Sequence, residues 1–426
     1  MLQLNYQSIS EAKPGQKWQK LFLKHWPAYK AWFQSKGAVD NPPLSVAKAK
    51  LQEYMPKFVP TYEKLCSLAG NDPIAERFLT GYQPPAYISG CSQLITQNPP
   101  MLIRNYDYHP HLSEGTILNT AWNGKHIIGI SDCLWGMVDG MNSDGLVVSL
   151  TFGGRKVVGK GFGIPFIIRY VLEFCSSVSE AVEVLQHIPS HMAYNVMVLD
   201  KTGSHKLLQL APDRDPIVKD IELSTNHQGK IDWPEHAQFS KTLEREAFLQ
   251  KIISEKGQEQ NAIVEAFLKS PLFNRKYNEG FGTVYTSIYH PAEGKMELKW
   301  DKNSLSQSFA NFEEGEILIT YNEKIPAERA TVLDTAATRP EDIEMPTTHT
   351  DWEAYGKSWA TQEPVELAQM VVKTIGAAMG ISDSPVLKNI MEQITSENKK
   401  RGQIPWEMLA DIWSSTGMAT KDDPKI

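Results

Sequence analysis

"YISGCSQLI", residues 87–95, decides how the rest of the chain is read. Two short apolar patches flank a Gly-Cys pair, and a turn signal at Asn98-Pro99-Pro100 follows. "CSQLITQ" (91–97) and "MLIRNYDY" (101–108) on either side of that turn read as the two strands of a hairpin. The default for a free cysteine is a buried, inert thiol. A cysteine that opens a strand directly after a glycine needs a further reason to be there.

Upstream, residues 1–90 read as mostly helical. "QKWQKLFLKHWPAYKAWFQSKG" (16–37) sets Trp18, Leu21, Phe22, His25 and Trp26 at helical spacing, with Gly37 as a stop. "NPPLSVAKAKLQEYMPKFVPTYEKLCSLAG" (41–70) and "DPIAERFLTGY" (72–82) predict further helices. Downstream, strand patterns recur over "HIIGISD", "WGMVDGMNSDGLVVSLTF", "NVMVLDKTGSHKLLQL" and "FGTVYTSIYHPAEGKMELKW". Helical blocks interrupt them at "IPFIIRYVLEFCSSVSEAVEVLQHI" (164–188), with a serine cap expected near Ser179, and at "FSKTLEREAFLQKIISE" (239–255). Beyond about residue 325, the proline- and threonine-rich "TRPEDIEMPTTHTDW" reads as a connector to a helical tail. Clustered strands and helices, with no internal repeat, point to layered α+β packing rather than βαβ alternation.

Composition bounds the function. The chain has 426 residues, 41% of them apolar and 22% charged, enough to bury a sizeable core. A net charge of −7 argues against nucleic acid or an anionic membrane as the main partner. No apolar run is long enough to span a bilayer, and the N-terminus lacks a secretory h-region, so a cytoplasmic location is expected. The four cysteines (Cys66, Cys91, Cys133, Cys175) are too few and too scattered for a disulfide framework or a CxxC site. "GKGFG" (159–163) lacks phosphate-loop spacing, Ser45-Val46-Ala47-Lys48 lacks its partner motifs, and His109-Pro110-His111 lacks a third ligand. No metal and no cofactor are expected.

An ordered set of residues follows Cys91. Arg104 and Asp107 lie on the second strand of the hairpin; three apart, they fall on opposite faces of an ideal strand. "DGMNSDGL" (139–146) and "LSTNHQG" (223–229) then supply Asn142 and Asn226 in turn-like contexts. Taken singly, the charged pair reads as structural and the asparagines as turn residues.

The order Gly-Cys, Arg-Asn-x-Asp, Asp-Gly-Met-Asn-x-x-Gly-Leu and Thr-Asn-His resembles the N-terminal-nucleophile hydrolases. The resemblance is to the acyl-CoA:6-aminopenicillanate acyltransferase-like family and, more distantly, to the choloylglycine hydrolases and penicillin V acylases. It covers roughly residues 87–300. It implies an αββα four-layer sandwich. It also implies self-cleavage between Gly90 and Cys91, which would release or leave bound a helical propeptide (1–90) ahead of a catalytic domain (91–325), with 326–426 as an added extension. Cys91 would be the nucleophile, Asp107 would orient the new α-amine, and Arg104 would stabilise the thiolate. Asn142 or Asn226 would donate to an oxyanion, and Arg245, in "REAFL", resembles an arginine of the bile-salt branch.

The chemistry suits these residue types. A thiol attacks as thiolate, and an α-amine with an ordinary pKa near 7.7–8.0 can take its proton at neutral pH. Gly90 would permit a strained backbone and close approach of the thiol. The expected partner is a small acyl-amide or acyl-thioester, with room for a homo-oligomer. Two other readings remain open: an uncleaved ligand-binding protein, and a papain-like protease, which needs a histidine partner.

Overall fold

The computed structural model describes residues 2–34, 42–255, 259–277 and 281–321. The expected connector and helical tail, and the stop at Gly37, lie outside the described residues. The chain enters the fold through a strand, β1 (Leu2–Glu11), followed by helices α1 (Gln16–Gln34), α2 (Leu44–Tyr54), α3 (Val59–Leu68) and α4 (Pro73–Leu79). The expected hairpin is present as β2 (Gly90–Gln97) and β3 (Pro100–Tyr108). Four strands follow: β4 (Thr116–Thr120), β5 (Ile127–Asp132), β6 (Gly136–Asn142) and β7 (Val147–Phe152).

Helices α5 (Ile164–Phe174) and α6 (Val178–His187) come next. Ser177, two residues before the expected cap, caps α6 by accepting from the Glu180 amide. The chain continues through β8 (Tyr194–Leu199), β9 (His205–Ala211), β10 (Arg214–Lys219) and β11 (Leu223–Ser224). Helices α7 (Pro234–Ser240), α8 (Thr242–Ser254) and α9 (Gln260–Phe267) lead to β12 (Arg275–Lys276), β13 (Phe281–His290), β14 (Lys295–Lys299), β15 (Ser304–Ser308) and β16 (Gly315–Tyr321).

Among the described residues these strands form two sheets. One runs β10-β9-β8-β7-β6-β5-β4-β1-β16; the other runs β11-β2-β3-β13-β14-β15, with β12 on β13. The sheets face each other where β2 crosses β7 and β3 crosses β8. Helices α5 and α6 cover the outside of the first sheet, and α8 and α9 the outside of the second. The expected αββα four-layer sandwich is what the chain forms.

Layering explains why β2 and β3 lack a plain apolar–polar alternation: both faces are buried. Cys91, Ile95, Leu102 and Tyr106 join the core between the sheets. Leu94, Met101 and Ile103 point the other way, into a second core with Leu249, Ile252, Val264 and Phe267 from α8 and α9. The period of two sorts every side chain of the hairpin into one layer or the other.

The front piece departs from its mostly helical expectation at its start. β1 pairs antiparallel with β16 from Leu2↔Tyr321 to Ser8↔Gly315 and parallel with β4 from Gln7↔Thr116 to Glu11↔Thr120. The alternation of Leu2, Leu4 and Tyr6 carries that strand signal. Helix α1 packs behind it, with Trp18 Nε1 donating to Leu134 O at 3.0 Å, while Trp135 Nε1 donates to Leu79 O at 3.1 Å. A chain opened between Gly90 and Cys91 should therefore not come apart. The two pieces should co-elute on native size exclusion and separate only in denaturant; a freely dissociating front piece would contradict the sheet order.

Candidate active site

Cys91 sits at the start of β2, fully buried on the face turned toward the first sheet. In the β2–β3 ladder it pairs with Tyr106, so Arg104, two residues along, shares its face. The Arg104 guanidinium donates through Nη2 to Cys91 Sγ at 3.2 Å. Three more of its hydrogens are committed: Nη1 donates to Asp139 Oδ2 at 2.5 Å and to the Tyr285 hydroxyl at 3.1 Å, and Nε to Leu150 O at 2.8 Å. Both members of the Arg104–Asp139 pair have fully buried side chains. Asp139 also accepts from the hydroxyls of Tyr285, Ser287 and Tyr289. A buried charge pair is tolerable when its remaining donors and acceptors are filled in this way.

Asp107, as strand parity requires, lies on the opposite face. It accepts from the Thr283 hydroxyl at 2.6 Å and stands 3.8 Å from Arg245 Nη1. The register of β13 against β3 shifts between Thr283 and Tyr285, opposite Asp107 and Tyr106. Arg245, on α8, closes the site from the helix side. Its Nη1 donates to the Cys91 carbonyl and, at 2.8 Å, to the Ser92 hydroxyl; Nη2 donates to Asn226 Oδ1 at 2.6 Å. Asn226 lies just after β11, which pairs with β2, and its Oδ1 also accepts the Cys91 amide N–H at 3.0 Å. Its Nδ2 donates to Phe152 O at 3.1 Å. Asn226 thus holds the nitrogen that cleavage would turn into an amine.

Four of the expected residues therefore meet around Cys91: Arg104 at the thiol, Asn226 at the amide nitrogen, Arg245 at the carbonyl, and Asp107 behind Arg245. Asn142 does not join them. It is three residues from Asp139 on β6 and so faces the outer helix layer. Its Nδ2 donates to the Leu172 and Cys175 carbonyls, at 2.9 and 2.7 Å, and its Oδ1 accepts the Asp144 and Leu146 amides. It ties the β6–β7 turn to the end of α5. The residue of "DGMN" that faces the thiol's partner is Asp139. Reading the motif by strand parity finds it; choosing the asparagine for its side-chain chemistry does not.

Gly90 also has a different reason from the expected one. Its φ lies outside the left-handed region, but a Cβ there would come within 2.1 Å of Phe281 Cζ and 3.1 Å of Asp107 Cβ. Close packing, not backbone strain, requires the glycine.

Electrostatics in the intact chain favours a resting thiol. Burial pushes Cys91 above its ordinary value; Arg104 opposes the rise and Asp107 adds to it. Burial likewise raises the Asp107 carboxyl, against the pull of Arg245, the Thr283 hydroxyl and Arg104. The motifs set aside have local structural roles. Lys48 pairs with Glu76, the His111 amide donates to His109 Nδ1, and a Cβ on Gly161 would strike the Ser190–His191 backbone. Among the described residues no cluster of three metal-ligating side chains occurs, and no helix is long and apolar enough to cross a membrane.

Residues 95–305 match the model of the acyl-coenzyme A:6-aminopenicillanic acid acyl-transferase family, a span that holds Arg104, Asp107, Asp139, Asn226 and Arg245 and begins just after Cys91. The resemblance carried by the motifs is thereby borne out. No curated protein matches the sequence. Similar solved structures include a cysteine-to-alanine mutant of conjugated bile acid hydrolase from Clostridium perfringens (14% identity, 55% of this chain and 97% of that chain, TM-score 0.38). Others are the Caenorhabditis elegans ortholog of N-acylethanolamine-hydrolyzing acid amidase (16%, 48% and 93%, 0.34) and penicillin V acylase from Agrobacterium tumefaciens (13%, 52% and 86%, 0.36).

Removing Arg104 takes away the main opposition to the burial effect on the thiol. In Arg104→Gln, the pH midpoint for alkylation of Cys91 should move upward and the protein should lose about 3–5 kcal/mol, because Asp139 is left buried without its cation. Asn142→Ala should cost about 1–3 kcal/mol in denaturant melts and leave the alkylation midpoint where it is. A shifted midpoint in Asn142→Ala would put that residue back in the site.

Proposed function

We propose that this chain, whose residues 95–305 match the acyl-coenzyme A:6-aminopenicillanic acid acyl-transferase family, is a self-processing acyl-transfer enzyme acting on a linear amide or thioester. The observation that carries the proposal is the guanidinium of Arg104, 3.2 Å from Cys91 Sγ in the buried layer between the sheets.

In the first reaction Sγ attacks the Gly90 carbonyl carbon. A C–S bond forms, the bond to the Cys91 nitrogen breaks, and that nitrogen takes up the thiol proton beside its own hydrogen to become the new α-amine. Water then hydrolyses the thioester, leaving a carboxylate on Gly90 and a free thiol on Cys91. Asn226 already accepts from this nitrogen in the intact chain, which supports its holding the amine afterwards. In each later cycle the amine takes the thiol proton, Sγ takes an acyl group from the substrate, and the proton passes to the departing amine or thiol. Water or an acceptor amine releases the acyl group. Arg104 favours the thiolate electrostatically, and Arg245 and Asp107 fix the backbone and charge around Cys91.

The Cys91 nitrogen and Arg245 Nη2 share Asn226 Oδ1, so the amine is born beside a cation. A neighbouring cation disfavours ammonium and lowers its pKa. Activity should therefore rise with pH along a limb at or below about 7.7–8.0, the ordinary range for an α-amine. The reading is tested by assaying wild type and Cys91→Ala, with and without chelator, on N-acyl amino acids, penicillin V, conjugated bile salts and acyl-CoA donors. Turnover of at least one donor by wild type, none by Cys91→Ala and no effect of chelator are expected. Turnover that survives in Cys91→Ala, or that chelator abolishes, would overturn it.

A further inference from the structure

The thioester of the cleavage reaction and the acyl-enzyme of turnover are the same chemical species: an acyl group on Cys91 Sγ. In the first, the acyl group is the chain ending at Gly90. Wherever residues 87–90 lie when Gly90 is poised beside Cys91 is therefore where the carbonyl-side half of a later substrate must lie.

That position is built rather than open. Ser89 is 1% exposed and Gly90 is buried. The Tyr87 ring stands 6.3 Å from Trp32 of α1 and 6.4 Å from Tyr194 of β8, centroid to centroid. At the Gly90 α-carbon the wall is Phe281, the first residue of β13. A Cβ of the L hand would meet its Cζ at 2.1 Å and its Cε1 at 2.8 Å. Phe281 is 3% exposed, and its ring packs on Phe239 with centroids 4.8 Å apart, so it has little room to yield.

We infer that the space filled by Tyr87–Gly90 is the acyl half-site, and that Phe281 restricts it to acyl groups whose α-carbon bears no L-side substituent. The inference rests on the acyl-transfer reading and adds the substrate class. An acyl group derived from glycine, or any with a plain methylene beside the carbonyl, fits. One derived from another L-amino acid does not. For a substrate to enter, Tyr87–Gly90 must leave this space after cleavage, while Trp32 stays with the front piece and Tyr194 and Phe281 stay with the two sheets.

The test uses two activated donors that react at the thiol whatever amine the natural substrate carries: the p-nitrophenyl esters of N-(3-phenylpropanoyl)glycine and of N-(3-phenylpropanoyl)-L-alanine. The α-amine takes the thiol proton, Sγ displaces p-nitrophenol, which leaves with that proton, and water returns the enzyme. Release of p-nitrophenol gives kcat/KM, and intact mass shows the acyl group on the large piece. In the cleaved wild-type protein the glycyl ester should react about tenfold to a hundredfold faster than the L-alanyl ester, the cost of forcing a methyl into a filled site. Phe281→Ala should bring the two rates together by raising that of the L-alanyl ester.

Equal rates in wild type would overturn the inference, as would undiminished discrimination in a folded Phe281→Ala protein. If Phe281→Ala fails to fold, the wild-type ratio still decides. If neither ester acylates Cys91 of a cleaved, folded protein, the acyl-transfer reading falls and the inference falls with it. That outcome is distinct from acylation without discrimination.

Discussion

One buried cation organises this molecule. Arg104 lies between two sheets and reaches Cys91, Asp139, Tyr285 and the Leu150 carbonyl at once. A guanidinium so enclosed is costly to desolvate unless its hydrogens find acceptors. These four contacts hold β3 against β6 and β7 and deliver a positive charge to the thiol at the start of β2. The stability of the sandwich and the chemistry proposed for Cys91 thus draw on the same contacts. A substitution that disturbs one disturbs the other.

Much of this could be read from the residues. The Gly-Cys pair, the Asn-Pro-Pro turn and the Arg-Asn-x-Asp strand fall close together in sequence, and a hairpin brings them together in space with no help from distant chain. Asn226 and Arg245 are far off in sequence; the resemblance placed them, because no local pattern says that β11 will pair with β2. Asn142 shows the limit of reading side-chain chemistry without direction. It and Asp139 share a four-residue motif, yet a strand sends them to opposite layers, and the carboxylate is the one that faces inward. β1 shows another limit. Ten residues of mild alternation ahead of strongly helical sequence look unremarkable until β4 and β16, more than a hundred and more than three hundred residues away, supply its partners.

The front piece acquires a different character from that strand. A segment ahead of the proposed cleavage point invites the view of a disposable propeptide. Here residues 2–11 sit inside the larger sheet, and the aromatic face of α1 is consumed against Phe78 and the β5–β6 turn. The proposed cleavage would free the extended stretch leading to Gly90, not the body of the piece. Such a cut would make an amine and open space, while the contacts that hold Arg104, Asn226 and Arg245 lie outside that stretch.

The central claim, that Cys91 becomes an N-terminal nucleophile, is tested most directly by the mass of the purified full-length chain after incubation at neutral pH. The account predicts two masses under denaturing conditions, the larger belonging to a piece that begins at Cys91, and a single undivided mass for Cys91→Ala. A wild-type chain that keeps its full mass after prolonged incubation would contradict it.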